Sequence, residues 1–195
     1  IDGAKHALAI LSLLVKRLRQ QWPGVRIIFR GDSGFCRRKL LTWCENNDVK
    51  YIIGLARNSR LKKLSAELQE EAKTAYEASL KKSKLFTEFK YAARTWDRER
   101  RIIAKAEYAS LGPNNRYIIT NLEQEGQYLY EKIYCARGDM ENRIKEKQLY
   151  LFADRTSCHY FDANQFRLLL SSLAYIILEQ YRDKLLRGTK FEKAS

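Results

Sequence analysis

Histidine is scarce in this chain of 195 residues: there are two, His6 and His159, far apart in sequence. The four cysteines, Cys36, Cys44, Cys135 and Cys158, form no C-x2-C pair. A zinc site is therefore not expected, and the thiols read as small buried hydrophobes of a reducing compartment, so any metal must be held by oxygen. Long apolar runs are missing too. No segment offers about 18 uncharged apolar residues, and the first residues lack the basic, apolar and small-residue order of a signal peptide. The expectation is a soluble, intracellular protein with no membrane partner. Pro/Ser linkers, repeats and low-complexity tracts are absent as well. Acidic residues are in short supply, 23 against 37 Lys plus Arg, which leaves a net charge of +14 and a pI near 9.7. An excess of that size favours a polyanionic partner, with nucleic acid ahead of an acidic membrane surface.

What is present is enough hydrophobic residue, 45%, for one good-sized domain or one domain with an insertion. Residues 4–21 set Ala7, Leu8, Leu11, Leu14, Val15 and Leu18 at helical spacing, and Trp22-Pro23-Gly24 stops them. Val25 to Phe29 reads as a strand, Arg30 to Gly34 as a turn, Phe35 to Trp43 as a helix and Lys50 to Leu55 as the next strand. Helix, strand, helix, strand is the pattern of parallel sheet units. From Asn58 to about Lys84 the chain is charged and helical. Phe86 to Trp96, Arg101 to Tyr108 and Arg116 to Thr120 then read as antiparallel strands, with turns at 97–100 and 111–115. Helix is expected again from Glu123 to Phe152. The segment Ala163 to Leu186 follows, with Phe166, Leu169, Leu170, Leu173, Ile176, Ile177 and Tyr181 on one broad face expected to cover the sheet, and Gly188 as a C-cap.

Two features carry chemistry. In YCARGDMENRIKEKQ, Tyr134, Arg137 and Glu141 stand at i, i+3 and i+7, which at 100° per residue puts an aromatic, a guanidinium and a carboxylate on one helical stripe. Lys145 and Gln148 return to within about 40° of that stripe, while Asp139 and Lys147 point about 140° away. These side chains can stack, grip a phosphate and hold a metal, or they can form a solvated face of mixed charge. The second feature is Asp32, which follows a predicted strand and precedes a helix. Carboxyl ends of strands are where ligand sites gather in α/β folds, and an Asp before a helix is also an ordinary N-cap. His6 and His159 read as structural or surface residues.

A strand-end Asp, a β-rich insertion and a helical Tyr-x2-Arg-x3-Glu together resemble the insertion-sequence transposases of the DDE type. GDSGF at Gly31 to Phe35 is similar to that family's second-aspartate motif, and Tyr134, Arg137 and Glu141 match its Tyr-Arg-Glu-Lys signature. The resemblance spans nearly the whole chain. It implies an α/β fold with an RNase H-like core, a mixed sheet flanked by helices, interrupted by an antiparallel insertion. The core would occupy residues 1–57 and 122–195 and the helical and β-rich insertion 58–121. It further implies that Asp32 and Glu141 are the second and third catalytic carboxylates, holding Mg2+ or Mn2+ for DNA cleavage and strand transfer. Tyr134 and Arg137 would bind the DNA backbone beside the cut, with Lys145, Arg57 and Trp96 as further contacts. Trp96 would stack on an unpaired base, against which stands ordinary hairpin packing.

The partner implied is double-stranded DNA, as transposon ends and as target, with a homodimer as the assembly on DNA and the bacterial cytoplasm and nucleoid as the location. The family's lysine falls seven residues after the glutamate, where this chain has Gln148. Lys145 shares the face one turn earlier, while Lys147 faces away. The family's first aspartate lies on a strand that precedes the helix of residues 4–21, and Asp2 has no strand before it. The chain is thus expected to be the C-terminal part of such a domain, lacking one carboxylate and inactive alone. The alternatives are a catalytically dead nucleic-acid-binding remnant and another RNase H-like nuclease.

Overall fold

A computed structural model describes residues 4–191. The chain divides into two compact units, Ile1–Arg137 and Gly138–Ser195. In the first, α1 (Ala7–Gln21), β1 (Ile28–Gly31), α2 (Arg38–Asn46) and β2 (Lys50–Leu55) follow the expected order. β1 starts three residues later than the sequence pattern suggested. The Val25 N–H bonds back to the Trp22 carbonyl in a turn, and pairing begins only where Ile28 meets Lys50. The β2 bounds match the expectation to the residue.

The charged helical stretch is two helices, α3 (Ser59–Leu64) and α4 (Ala66–Ser79). Ser65 breaks them apart, its hydroxyl returning to the Leu61 carbonyl at 3.0 Å and meeting the Tyr117 hydroxyl at 2.9 Å. β3 (Ser83–Tyr91) begins earlier than expected and ends before Trp96, because the Trp96 N–H turns back to the Ala93 carbonyl. It pairs along its whole length with β4 (Arg100–Ala109), which also carries the short β5 (Gly112–Pro113). The turn into β5 uses Gly112 at φ +88°, open to glycine without strain. β6 (Arg116–Thr120) pairs antiparallel with both β4 and β2.

One mixed sheet results, in the order β1-β2-β6-β4-β3, with β1 and β2 parallel and the other pairs antiparallel. The strands of residues 83–120 thus continue the sheet that β1 and β2 begin. Strand alternation gives it two apolar faces. Tyr51, Ile53, Ile102, Ala104, Tyr117 and Ile119 join Leu11, Val15, Leu40, Leu41, Cys44 and Leu61 from the helices. Ile52, Ile103 and Ile118 point to the other side, where Leu122, Leu129 and Tyr130 cover them. Of the apolar positions expected inside α1, Leu11 and Val15 are buried, whereas Leu14 and Leu18 stay exposed. Burial pushes the Cys44 thiol up to about 12 and the Cys36 thiol up to about 11, as inert hydrophobic cysteines require, whereas Cys135, also expected inside, is exposed.

The helix expected from Glu123 onward begins at α5 (Gly126–Tyr128), continues as a π-helical segment Leu129–Tyr134 and is interrupted at residues 135–136. α6 (Arg137–Leu151) follows. The second unit holds α6 and α7 (Phe161–Tyr181), with a π-helical extension Arg182–Leu186. Arg143, Glu146 and Lys147 of α6 face α7: Arg143 pairs with Glu179, Glu146 accepts from Tyr175 at 2.7 Å, and Lys147 donates to Ser172. Charged and hydroxyl contacts join these two helices. Phe166, Leu169, Leu170, Leu173, Ile176, Ile177 and Tyr181 are each at least half exposed. Gly188 does stand past the helix end at φ +77°. Among the described residues no helix is long and apolar enough to cross a membrane.

Candidate functional site

Parity along β1 and β2 decides what stands at their carboxyl ends. Phe29 packs with the first core, so Arg30 turns to the opposite face, and Asp32, one residue past the strand, continues that side. In β2, Ile52 lies in the second core, so Gly54 shares its face. The segment 126–134 lies over this face, and its last residue, Tyr134, is half-buried against it.

Asp32 does two things at once. Its Oδ1 accepts the Gly34 N–H at 2.8 Å, capping the 3-10 turn Ser33–Phe35, so the capping alternative is realised. Its Oδ2 stands 4.0 Å from Arg137 Nη1, and the carboxylate side chain is 52% exposed. Tyr134 completes the group. Burial raises its phenol pKa and the Asp32 carboxylate adds to that, while Arg137 and Arg116 oppose it. The hydroxyl is therefore protonated at neutral pH and available as a donor.

The tyrosine, arginine and aspartate expected from sequence thus come together, although Tyr134 and Arg137 are separated by the break at 135–136 and do not share one regular helix. Arg137, Glu141 and Lys145 are successive i+4 neighbours on α6. In the second unit the exposed Glu141 and Lys145 lie on the side of α6 away from Arg143, Glu146 and Lys147, which are turned to α7. Arg57 is exposed just past the carboxyl end of β2, beside the β1 end that bears Asp32. Trp96 is not part of this group. It packs edge-on against Tyr91, carries the Arg100 guanidinium over its ring and lines a different cleft with Cys36, Arg37 and Arg38.

Three residues were missed by the sequence reading. Arg30 Nη1 donates to the Ile133 carbonyl at 2.8 Å, fastening the 129–134 segment to β1. Gly54 stands directly beneath the Tyr134 hydroxyl. Arg116, exposed at the start of β6, acts electrostatically on Tyr130 and Tyr134. The available signal was the glycine inside an apolar strand, which marks close approach of another group.

Asp32 has one carboxylate oxygen outside its cap, and Glu141 is an exposed carboxylate; both are hard oxygen donors of the kind Mg2+ or Mn2+ takes. Among the described residues, no three of His, Cys, Asp or Glu come together as a metal-holding group, and Asp2 lies outside them. Compared with known protein families, residues 1–195 match the model described as transposase DDE domain group 1. No curated protein gives a significant match.

Proposed function

The chain belongs to the DDE transposase domain family, and on that premise we propose that it is the catalytic domain of an insertion-sequence transposase with an RNase H-like core. It acts on duplex DNA, cutting at the element's ends and joining them to a target, in the bacterial cytoplasm at the nucleoid. The observation that carries this reading is the meeting of Asp32, Tyr134 and Arg137 at the carboxyl ends of two parallel strands.

In this reading Asp32 and Glu141 would each serve as an oxygen ligand to divalent metal, which when bound would supply activation of the attacking oxygen and charge stabilisation at the scissile phosphate. Arg137, 4.0 Å from Asp32, offers a planar fork to phosphate oxygens close to that carboxylate. The neutral Tyr134 hydroxyl donates to a second oxygen of the same backbone, and its half-buried ring limits the directions from which it does so. Lys145 and Arg57 add point charges along the strand.

The test is Mg2+-dependent cleavage of labelled transposon-end DNA by a complete transposase bearing these residues. Asp32→Asn and Glu141→Gln are each expected to lower the rate at least about 1000-fold, as loss of charge stabilisation at the reacting phosphate does, with DNA affinity kept. Undiminished cleavage in either variant refutes the assignment. DNA binding without cleavage in the unsubstituted complete protein favours the catalytically dead remnant instead.

A further inference from the structure

Arg30 and Gly54 belong to neither motif, yet both meet the segment that presents Tyr134. A Cβ placed on Gly54 would lie 2.6 Å from the Tyr134 hydroxyl oxygen, 3.0 Å from the Ser33 backbone nitrogen and 3.3 Å from the Asp32 carbonyl carbon. Gly54 is not among the glycines of positive φ, which are Gly112 and Gly188 among the described residues, so its backbone conformation is open to any residue. A glycine inside a strand costs stability through its extra freedom in the unfolded chain and the packing it forgoes. At Gly54 the compensating feature is the slot: the hydroxyl and the turn after β1 converge where a methyl group would otherwise stand.

Arg30 acts at the other end of the same device. Its guanidinium spans from β1 to the Ile133 carbonyl, next to Tyr134 and just before the helix is interrupted at residues 135–136. A charged donor on a backbone carbonyl is among the stronger hydrogen bonds of a protein. It sets the height of the 129–134 segment above the sheet, while the absent side chain at Gly54 lets that height be low enough for the hydroxyl to reach the Asp32 turn.

We propose that Arg30 and Gly54 are positioning residues for the DNA reaction, holding the Tyr134 hydroxyl and, three residues on, Arg137 against the Asp32 turn so that both meet one phosphate. This rests on the transposase reading above. The close approach at Gly54 involves the Tyr134 hydroxyl itself, so a double-mutant cycle isolates it. Gly54→Ala is expected to weaken duplex-DNA binding by the chain about tenfold, the worth of one hydrogen bond to a charged group. In a Tyr134→Phe background the same change is expected to cost no more than about twofold. Arg30→Met is expected to match the tenfold loss, and Arg30→Lys, which keeps a donor, to recover most of it.

A second readout needs no DNA. With 3-fluorotyrosine at position 134, the fluorine resonance is expected to move in Gly54→Ala and in Arg30→Met, and to return toward its original position in Arg30→Lys. A Gly54→Ala loss of equal size in both backgrounds overturns the proposal, as does a resonance that stays in place. If Gly54→Ala does not fold, the Arg30 pair decides alone: equal effects of Met and Lys overturn it. A moving resonance in a chain that binds no DNA refutes the transposase reading while leaving the positioning of Tyr134 intact.

Discussion

Replacing Glu45 by alanine should strand the buried guanidinium of Arg100 and destabilise this fold. The Arg100 side chain, at the start of β4, is only 3% exposed. Its Nε donates to Glu45 Oε1 at 2.7 Å and its Nη2 to Oε2 at 2.9 Å, a two-point pairing between β4 and α2. The Tyr51 hydroxyl donates to the same carboxylate at 2.7 Å. Arg100 Nη1 has no partner, so the guanidinium has little reserve. Glu45→Ala leaves it with Asp97 at 3.0 Å and Thr42 at 3.1 Å. Removing one member of a buried pair costs about 3–5 kcal/mol, and the two surviving hydrogen bonds place this case near about 3 kcal/mol. At a urea slope of about 2 kcal/mol per molar, the unfolding midpoint should fall by roughly 1.5 M.

The companion variant Glu45→Leu with Arg100→Met removes both charges together. It should recover most of that loss, because the penalty comes from the stranded guanidinium rather than from absent attraction. Urea titrations followed by circular dichroism decide the matter. A single-variant loss under about 1 kcal/mol, or a double variant as unstable as the single, refutes the reasoning.

Other outcomes follow from the same geometry. Burial alone would raise the Glu107 carboxyl, but hydrogen bonds from Lys105, Lys82 and Asn114 outweigh it and hold the group at about 2, from an ordinary value of 4.5. A lowered folded-state value contributes stability above the unfolded value and loses it as pH falls toward 2, up to about 3 kcal/mol in all; Glu107→Gln should flatten urea midpoints measured between pH 5 and pH 3, and an unchanged slope would contradict this. Duplex-DNA affinity of the chain should fall steeply with salt, and Arg137→Ala should reduce the log–log slope by about 0.9, the release of one counterion; a flat salt response argues against the DNA grip. Ile118→Ser in the second core should cost about 3 kcal/mol or more, whereas Leu173→Ser on the exposed side of α7 should change stability by less than about 0.5 kcal/mol. Comparable thermal shifts for the two would show that the α7 side is covered.

Much of the fold was legible because short-range pattern and tertiary environment agree. The β2 and β6 strands, buried on both faces, read as uninterrupted runs and match their expected ends. β1 was displaced because a run of β-branched residues says nothing about where its partner strand begins. The break at Ser65 was missed because a serine hydroxyl competes with the helix only when Tyr117 is there to hold it. The interruption at 135–136 was missed for a related reason: regular helical spacing reads through a π-helical segment whose register depends on packing over the sheet.

From the sequence alone came the helix–strand–helix–strand start, Asp32 at a strand's end, the spacing of Arg137, Glu141 and Lys145, and the family likeness they share. Those follow from periodicity and residue chemistry, which act over a few neighbouring positions. Tertiary structure decided that Tyr134 and Arg137 meet the Asp32 turn from either side of a helix break, that Gly54 leaves room for the tyrosine, that Arg30 fastens its segment, and that Trp96 packs against Tyr91 elsewhere. The physical reason is common to all four. A glycine's empty space, or an arginine's one hydrogen bond, takes its meaning from a segment far along the chain, and no local spacing encodes which segment that is.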